Sequence, residues 1–174
     1  MAIVIEGHQA ERRALIDGEM VVTFGELRQR VSALRTQLSA MGIGRGDAVA
    51  LAAGNETHFA TGALAVLGLG AIVMPINPKS PAAELRPRVD LVNPRLLLVG
   101  EEGQDLLGID DEIGVEALDM TTLAAAAVTG ADPGIAHANP DDRAFYMATS
   151  GVSGAPKVAI LSHHNLHWVQ EAMS

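Results

Sequence analysis

The chain has 174 residues, of which 48% are hydrophobic and only 3% aromatic, and its formal net charge is -9. This length allows one core of ordinary domain size, and the apolar content argues against disorder over most of the chain. The acidic balance removes the broad basic surface on which nucleic-acid binding depends, and the lack of cysteine excludes disulfides and thiolate catalysis.

The amino terminus has no basic region followed by an apolar stretch, and no uninterrupted run of 18 apolar residues occurs. The sequence therefore predicts neither a secretory signal nor a transmembrane segment. A cytoplasmic protein is the expectation.

The first predicted elements are two short strands and an amphipathic helix. Thr23 and Glu26 have the spacing of a capping box, and the apolar residues after them recur at steps of three and four. Gly42 is the expected end of this helix. The strands are predicted at 14–17 and 21–23, and the helix at 24–41.

Strands and helices then alternate. Asn55 is the expected cap of a second helix, and Ser80 that of a third, which Pro87 is expected to kink or shorten. Pro75 predicts that the end of its strand lies at a sheet edge or leaves the sheet. Strands are predicted at 47–53, 71–76 and 94–100. This alternation predicts an α/β fold with a mostly parallel sheet flanked by helices.

The segment 101–119 carries eight acidic residues and no basic residue. The pattern is typical of a solvated face or loop, and an interaction patch is the alternative. The following segment, 121–140, is rich in alanine and contains glycine and proline, which predicts a short helix and a connecting loop.

A strand predicted at 145–148 leads into Thr149-Ser-Gly-Val-Ser-Gly-Ala-Pro-Lys157, after which a strand at 158–161 and a final helix are predicted. Glycines allow successive backbone N–H groups to converge on an anion, hydroxyls add donors, and Lys157 supplies a positive charge. This composition predicts a phosphate-binding loop. It is not a Walker A loop, because a strand rather than a helix follows the lysine. The alternative is an ordinary Ser/Gly turn between two strands.

The same segment resembles the signature loop of the adenylate-forming superfamily, which includes acyl-CoA synthetases, peptide-synthetase adenylation domains and luciferases. Ser162-His-His-Asn165 falls where the superfamily has Thr-His-x-Asn. Two upstream elements agree, namely Val22-Thr-Phe-Gly-Glu-Leu27 and the segment 64–77 with its Pro-Ile-Asn ending. Three elements in the order of the family argue against chance. Two positions depart from the usual loop, since Val152 replaces a hydroxyl residue and Val158 replaces glycine.

The resemblance implies an incomplete amino-terminal subdomain of the acyl-CoA synthetase-like fold. It implies that residues 1–174 are the amino-terminal part of an AMP-binding domain whose carboxy-terminal remainder is absent. It implies an acid–thiol ligase that uses ATP and Mg²⁺ to activate a carboxylic acid, a fatty acid or a related compound, as an acyl adenylate. The thiol of CoA or of a carrier protein then displaces AMP.

The resemblance also implies roles for particular residues. Lys157 and His163 are the implied catalytic residues, and a helix cap or a packing histidine is the alternative for His163. Asn165 is expected to support helix geometry, and no residue is assigned to a metal ion. The residues implied to hold the ATP phosphates are Thr149, Ser150, Gly151, Ser153, Gly154 and Lys157.

Later family motifs are not found in the sequence, so the isolated chain is expected to be inactive. Three interpretations follow from this. The chain is a segment of a ligase, a binding module that keeps phosphate or nucleotide affinity without chemistry, or an interaction protein that forms a homodimer through an exposed apolar face.

Overall fold

A computed structural model describes residues 5–125, 130–149 and 157–172. The amino-terminal elements are a two-stranded antiparallel hairpin and a long helix. Hairpin strands β1 and β2 are Arg13–Asp17 and Met20–Thr23, and helix α1 is Phe24–Ala40.

The remaining strands form one six-stranded sheet in the order β6-β5-β3-β4-β7-β8. Strands β3 to β7 run parallel to their neighbours, and β8 pairs with β7 in the antiparallel direction. The predicted α/β fold with a mostly parallel sheet is therefore confirmed. The strands are Ala48–Ala52 (β3), Ile72–Ile76 (β4), Leu96–Val99 (β5), Ala117–Asp119 (β6), Arg143–Thr149 (β7) and Lys157–Ser162 (β8).

Helices lie on both faces of this sheet. Successive residues of a strand point to opposite faces, so β3 divides its side chains between two cores, with Val49 and Leu51 in one and Ala50 and Ala52 in the other. The first core packs against α1 and α2, and the second against α3. The helices are Thr57–Gly68 (α2), Ala82–Val92 (α3), Asp110–Ile113 (α4), Met120–Ala125 (α5) and His163–Ala172 (α6), with a 3₁₀ helix at Glu101–Leu106.

The capping box predicted for α1 is present. The backbone N–H of Glu26 donates to Thr23 Oγ1 at 3.2 Å, and the Thr23 N–H donates to Glu26 Oε2 at 2.8 Å. Gly42, with φ of 80°, follows the helix and donates its N–H to the Ser39 carbonyl. No helix in the described ranges combines the length and the apolar character needed to cross a membrane.

The predicted caps of α2 and α3 are wrong. Glu56 and Pro81 occupy the N-cap positions, and neither makes a side-chain capping bond. The Asn55 side chain lines a cavity instead. Helix α3 runs through Pro87 to Val92, so the proline does not shorten it.

The predicted edge position of Pro75 is also wrong. Strand β4 lies in the middle of the sheet between β3 and β7, and Pro75 is the register partner of Leu51. Pairing between β4 and β7 centres on Val73 and Phe145, two positions before the proline. The register pair between β4 and β7 thus does not include Pro75, in keeping with a residue that has no N–H to donate.

The acidic segment contains more regular structure than its composition predicts. It forms the 3₁₀ helix, α4 and β6, and its apolar residues Leu106 and Ile113 are buried in the second core. Most of the acidic side chains face solvent, as a solvated face requires.

Candidate functional site

The predicted phosphate loop connects two paired strands. Thr149, the last residue of β7, and Lys157, the first residue of β8, are register partners. The chain between them therefore leaves and re-enters the sheet at neighbouring positions, and the exposed Lys157 marks the return. Four predicted site residues, together with the side chain of Thr149, lie outside the described residues, namely Ser150, Gly151, Ser153 and Gly154.

The two ends of the loop, Thr149 and Lys157, lie at the carboxyl edge of the parallel strands. Because β3, β4, β5 and β7 run in the same direction, their carboxyl ends share one edge. Extending the register pair Val73 and Phe145 by four residues sets Asn77 beside Thr149. In open α/β sheets the crevice outside this edge is the usual place for a ligand.

A cavity of about 460 Å³ opens at the same edge. This volume lies within the range of about 300–1,000 Å³ that small-molecule sites occupy. Lys79 and Glu102 lie at the cavity and form an ion pair, with Lys79 Nζ 3.3 Å from Glu102 Oε2. The other lining residues are Ala53, Gly54, Asn55, Phe59, Pro75, Ile76, Asn77 and Pro78.

Glycines allow close packing around this cavity. A Cβ atom at Gly54 would lie 2.4 Å from Glu102 Oε1, and one at Gly103 would lie 2.8 Å from the Ala52 carbonyl oxygen. A side chain at Gly103 meets the backbone and would push the 3₁₀ helix away from the end of β3, whereas the Glu102 carboxylate can turn aside from one at Gly54. Gly103 therefore helps to define the shape of the carboxyl edge.

Sequence reasoning did not place Lys79 or Glu102 at this edge. The available signal was Lys79 itself, which is one of two lysines in the sequence and follows the end of β4 by three residues. Nothing in the neighbouring sequence distinguishes Glu102, because it is one of eight acidic residues in the segment 101–119. The described ranges contain no group of three or more histidine, aspartate or glutamate side chains that could hold a metal ion.

His163 lies at the opposite, amino edge of the sheet. Strand β8 runs six residues from Lys157 to Ser162, and His163 follows as the first residue of α6. At about 3.4 Å per residue, this strand separates the backbones of Lys157 and His163 by about 20 Å. The structure therefore does not bring the two predicted catalytic residues together within one chain.

The surroundings of His163 are those of a residue at a capped helix start. Its N–H donates to the Asp142 carbonyl at 2.9 Å, while Ser162 and Asn165 cap the helix through mutual hydrogen bonds. The expectation that Asn165 supports helix geometry is thus confirmed. His163 Nε2 is buried and has no hydrogen-bond partner among the described residues. Burial lowers the pKa of this imidazole, because it disfavours the charged form.

We expect His163 to destabilise the fold as the pH falls. A folded-state pKa below the ordinary value of 6.5 means that the unfolded chain binds the proton more readily, so stability decreases as the pH drops below about 6.5. Thermal unfolding between pH 7.5 and 5.5 should therefore show a smaller loss of Tm for His163→Gln than for the wild type. His164→Gln, at the exposed neighbouring residue, is the control. Equal pH slopes for all three proteins would contradict this role.

Comparison with known proteins agrees with the predicted fold and with the predicted family. The family model described as AMP-binding enzyme matches residues 4–174. Nonribosomal peptide synthetase flvI of Aspergillus flavus is 31% identical over 166 residues, which is 94% of this chain and 15% of that protein.

Two solved structures superpose on most of the chain. The o-succinylbenzoate CoA synthetase of Bacillus subtilis, in complex with its acyl-adenylate intermediate, matches with a TM-score of 0.84 and 25% identity over 99% of this chain and 45% of that one. The NpsA N-terminal subdomain of Klebsiella oxytoca matches with a TM-score of 0.76 and 25% identity over 93% of this chain and 41% of that one. The chain thus spans less than half of each, and by its family match it belongs to the AMP-binding, adenylate-forming enzymes.

Proposed function

We propose that residues 1–174 form the amino-terminal, phosphate-loop-bearing part of an ATP-dependent acyl-CoA synthetase. The observation that carries the proposal is the position of the two residues that flank the predicted loop. Thr149 ends β7 and Lys157 begins β8 at the carboxyl edge of a mostly parallel sheet, in a chain of the AMP-binding family. Such an edge is where open α/β sheets take ligands.

In the proposed reaction a carboxylate oxygen attacks the α-phosphorus of ATP, the bond to the β-phosphate oxygen breaks, and pyrophosphate leaves. The chemical demand on this part of the protein is neutralisation of phosphate charge in a fixed geometry. The loop N–H groups, its hydroxyls and the Lys157 ammonium would hold the phosphates. Mg²⁺ would be bound mainly by the phosphates themselves, since Mg²⁺ in nucleotide sites takes only one or two protein carboxylates.

The second half-reaction transfers the acyl group to a thiol and releases AMP. We propose CoA as the acceptor, in keeping with the similarity to a CoA synthetase of known structure. The similarity to a peptide synthetase favours a second candidate, in which the chain is part of an adenylation domain and the acceptor is a carrier-protein thiol. A fatty acid or a related carboxylic acid is the proposed substrate.

We expect Lys157→Ala to weaken the binding of ATP with Mg²⁺ to this chain by about ten- to a hundredfold, because a charge-assisted contact to phosphate contributes about 1.5–3 kcal/mol. Calorimetric titration with the nucleotide would measure the change. Arg95→Ala is the control, because it removes one exposed positive charge at the opposite, amino edge of the sheet, and we expect it to weaken binding by less than about threefold.

Equal affinity of the wild type and Lys157→Ala would exclude the loop as the phosphate site. Binding that depends on Lys157, without chemistry, would be the behaviour of a phosphate-binding module. Because the relatives are longer than this chain, we expect no carboxylate-dependent exchange of pyrophosphate into ATP by the 174 residues alone. Clear turnover would contradict the view that later segments supply part of the catalytic site.

A further inference from the structure

Both lysines of the chain lie at the carboxyl edge of the sheet. The sequence contains only Lys79 and Lys157, and its formal net charge is -9. Lys157 begins β8, and Lys79 follows the last residue of β4 by three positions. An acidic chain with two lysines thus places both of them where an open α/β sheet binds its ligand.

The two lysines lie on either side of the strand that leads into the predicted loop. Strand β7 lies between β4 and β8 in the sheet, and it ends at Thr149. Neighbouring strands are about 4.8 Å apart, so about 10 Å separates the ends of β4 and β8. Each lysine carries its charge on a flexible four-carbon stem, and two ammonium groups repel each other. The pair therefore suits a chain of two or three phosphates better than a single phosphate group.

In the structure Lys79 contacts a carboxylate on the side of β4 that faces away from β7. Its Nζ lies 3.3 Å from Glu102 Oε2, and Glu102 belongs to the 3₁₀ helix that follows β5. The strand order β5-β3-β4-β7 sets this helix on the opposite side of β4 from β7. The ion pair thus keeps the ammonium at the carboxyl edge but directs it away from Thr149.

The ion pair with Glu102 is weak enough to be exchanged for a phosphate. The Lys79 side chain is 75% exposed and that of Glu102 is 44% exposed, and exposed ion pairs contribute little to stability. A lysine contact to a phosphate is a charge-assisted hydrogen bond and is stronger. The exchange is therefore favourable when a polyphosphate lies beside the end of β7.

We propose that Lys79 is a second phosphate-binding residue, which leaves Glu102 to contact a polyphosphate that Lys157 binds from the other side of β7. The ligand class is a polyphosphate anion, either the triphosphate of a nucleotide or inorganic pyrophosphate. Glu102 holds the ammonium when no ligand is bound and competes with the ligand for it. The inference rests on the proposed function for the position of the phosphates, and it adds a residue from outside the predicted loop.

Calorimetric titration of the 174-residue chain with ATP and Mg²⁺ tests this contact. Lys79→Ala should raise the dissociation constant about fivefold, whereas Lys79→Arg, which keeps the charge, should change it by less than about twofold. Glu102→Gln should lower it about threefold, because it removes the carboxylate that competes for Lys79. Glu101→Gln is the matched control, since it removes the same charge from the exposed neighbouring residue and should change the dissociation constant by less than about 1.5-fold.

A double variant separates a phosphate contact from a general effect of charge. Lys79→Ala alone leaves Glu102 without its counter-charge, and this carboxylate would repel the phosphates. Lys79→Ala combined with Glu102→Gln removes the whole ion pair and leaves the formal net charge unchanged. This double variant should bind about tenfold more weakly than Glu102→Gln and about threefold more weakly than the wild type. Binding equal to that of the wild type would overturn the proposal, because Lys79 would then only neutralise Glu102.

The number of phosphates in the ligand provides a second measurement. Lys79→Ala should weaken the binding of pyrophosphate with Mg²⁺ about as much as that of ATP, which would place the contact on the phosphates that pyrophosphate shares with ATP. It should weaken the binding of AMP and of orthophosphate by less than about twofold, since Lys157 suffices for one phosphate group. Equal weakening of AMP and ATP would contradict a polyphosphate ligand.

Failure of this inference can be told apart from failure of the proposed function. Polyphosphate binding that depends on Lys157 but not on Lys79 overturns the inference alone. Binding that depends on neither lysine, or no binding by the wild type, overturns both. Weaker binding by Glu102→Gln would also overturn the inference, because Glu102 would then belong to the binding site instead of competing with the ligand.

Discussion

We expect Asp132→Asn to lower the free energy of unfolding by about 2 kcal/mol, because it leaves the buried Arg35 guanidinium without its counter-charge, and the 31% exposure of Asp132 makes the loss smaller than for a fully buried pair. Arg35 on α1 holds the Asp132 carboxylate with two guanidinium nitrogens, one of which, Nε, lies 2.8 Å from Oδ1. The Arg35 side chain is only 7% exposed. The Asp132 carboxylate also accepts from the Ser32 hydroxyl and the Gly134 N–H.

Denaturant unfolding at pH 7 measures this loss. Asp90→Asn is the control, since it removes the same charge from the exposed pair with Arg86 and should cost about 0.5 kcal/mol. A similar small change in both variants would show that the Arg35 contact contributes little. The contact joins α1 to the segment that leads into the amino end of β7.

The effect of Asp132→Asn should depend on pH. Hydrogen bonding to Arg35 lowers the pKa of the Asp132 carboxyl to about 2, from an ordinary value of 3.8. A lowered folded-state pKa stabilises the fold at pH values above about 4, and this contribution is lost as the pH falls from about 4 to about 2. The stability difference between wild type and variant should therefore shrink over that interval. A difference that stays constant would contradict ionisation as its cause.

We expect Gly103→Ala to destabilise the protein by about 2 kcal/mol, because overpacking a well-packed site typically costs about 1–3 kcal/mol. The added Cβ would lie 2.8 Å from the Ala52 carbonyl oxygen and 3.1 Å from Val99 Cγ1. The Ala52 carbonyl accepts from the Gly100 N–H at 2.9 Å at the end of β3, so this oxygen cannot easily move aside.

Gly44→Ala is the control for Gly103→Ala. Nothing lies within 4 Å of a Cβ at Gly44, and its φ lies outside the range that favours glycine. We expect a change within about 0.5 kcal/mol there. Chemical denaturation of both variants provides the comparison. A neutral Gly103→Ala would mean that the 3₁₀ helix shifts freely, and the shape of the cavity beside Glu102 would then not depend on this glycine.

The candidate site was predictable from the sequence to the extent that it is local. A strand, a loop of glycines and hydroxyls, a lysine and a second strand are consecutive in the chain, and their composition predicts a turn that can bind an anion. Lys79 and Glu102 join the same edge from other parts of the chain, after β4 and β5. Local patterns do not show which strand ends become neighbours, so sequence reasoning could not assign these two residues to the cavity.

The sequence by itself determined the type of most elements, because capping pairs, apolar periodicity and turn residues act over a few positions. The capping box of Thr23 and Glu26 and the strands on either side of the phosphate loop were predictable for this reason. Only the tertiary structure decided the strand order, the central position of Pro75 and the ion pair of Arg35 with Asp132, which are 97 residues apart. These features depend on which surfaces pack together in the whole chain, and a short window of sequence carries no record of that packing.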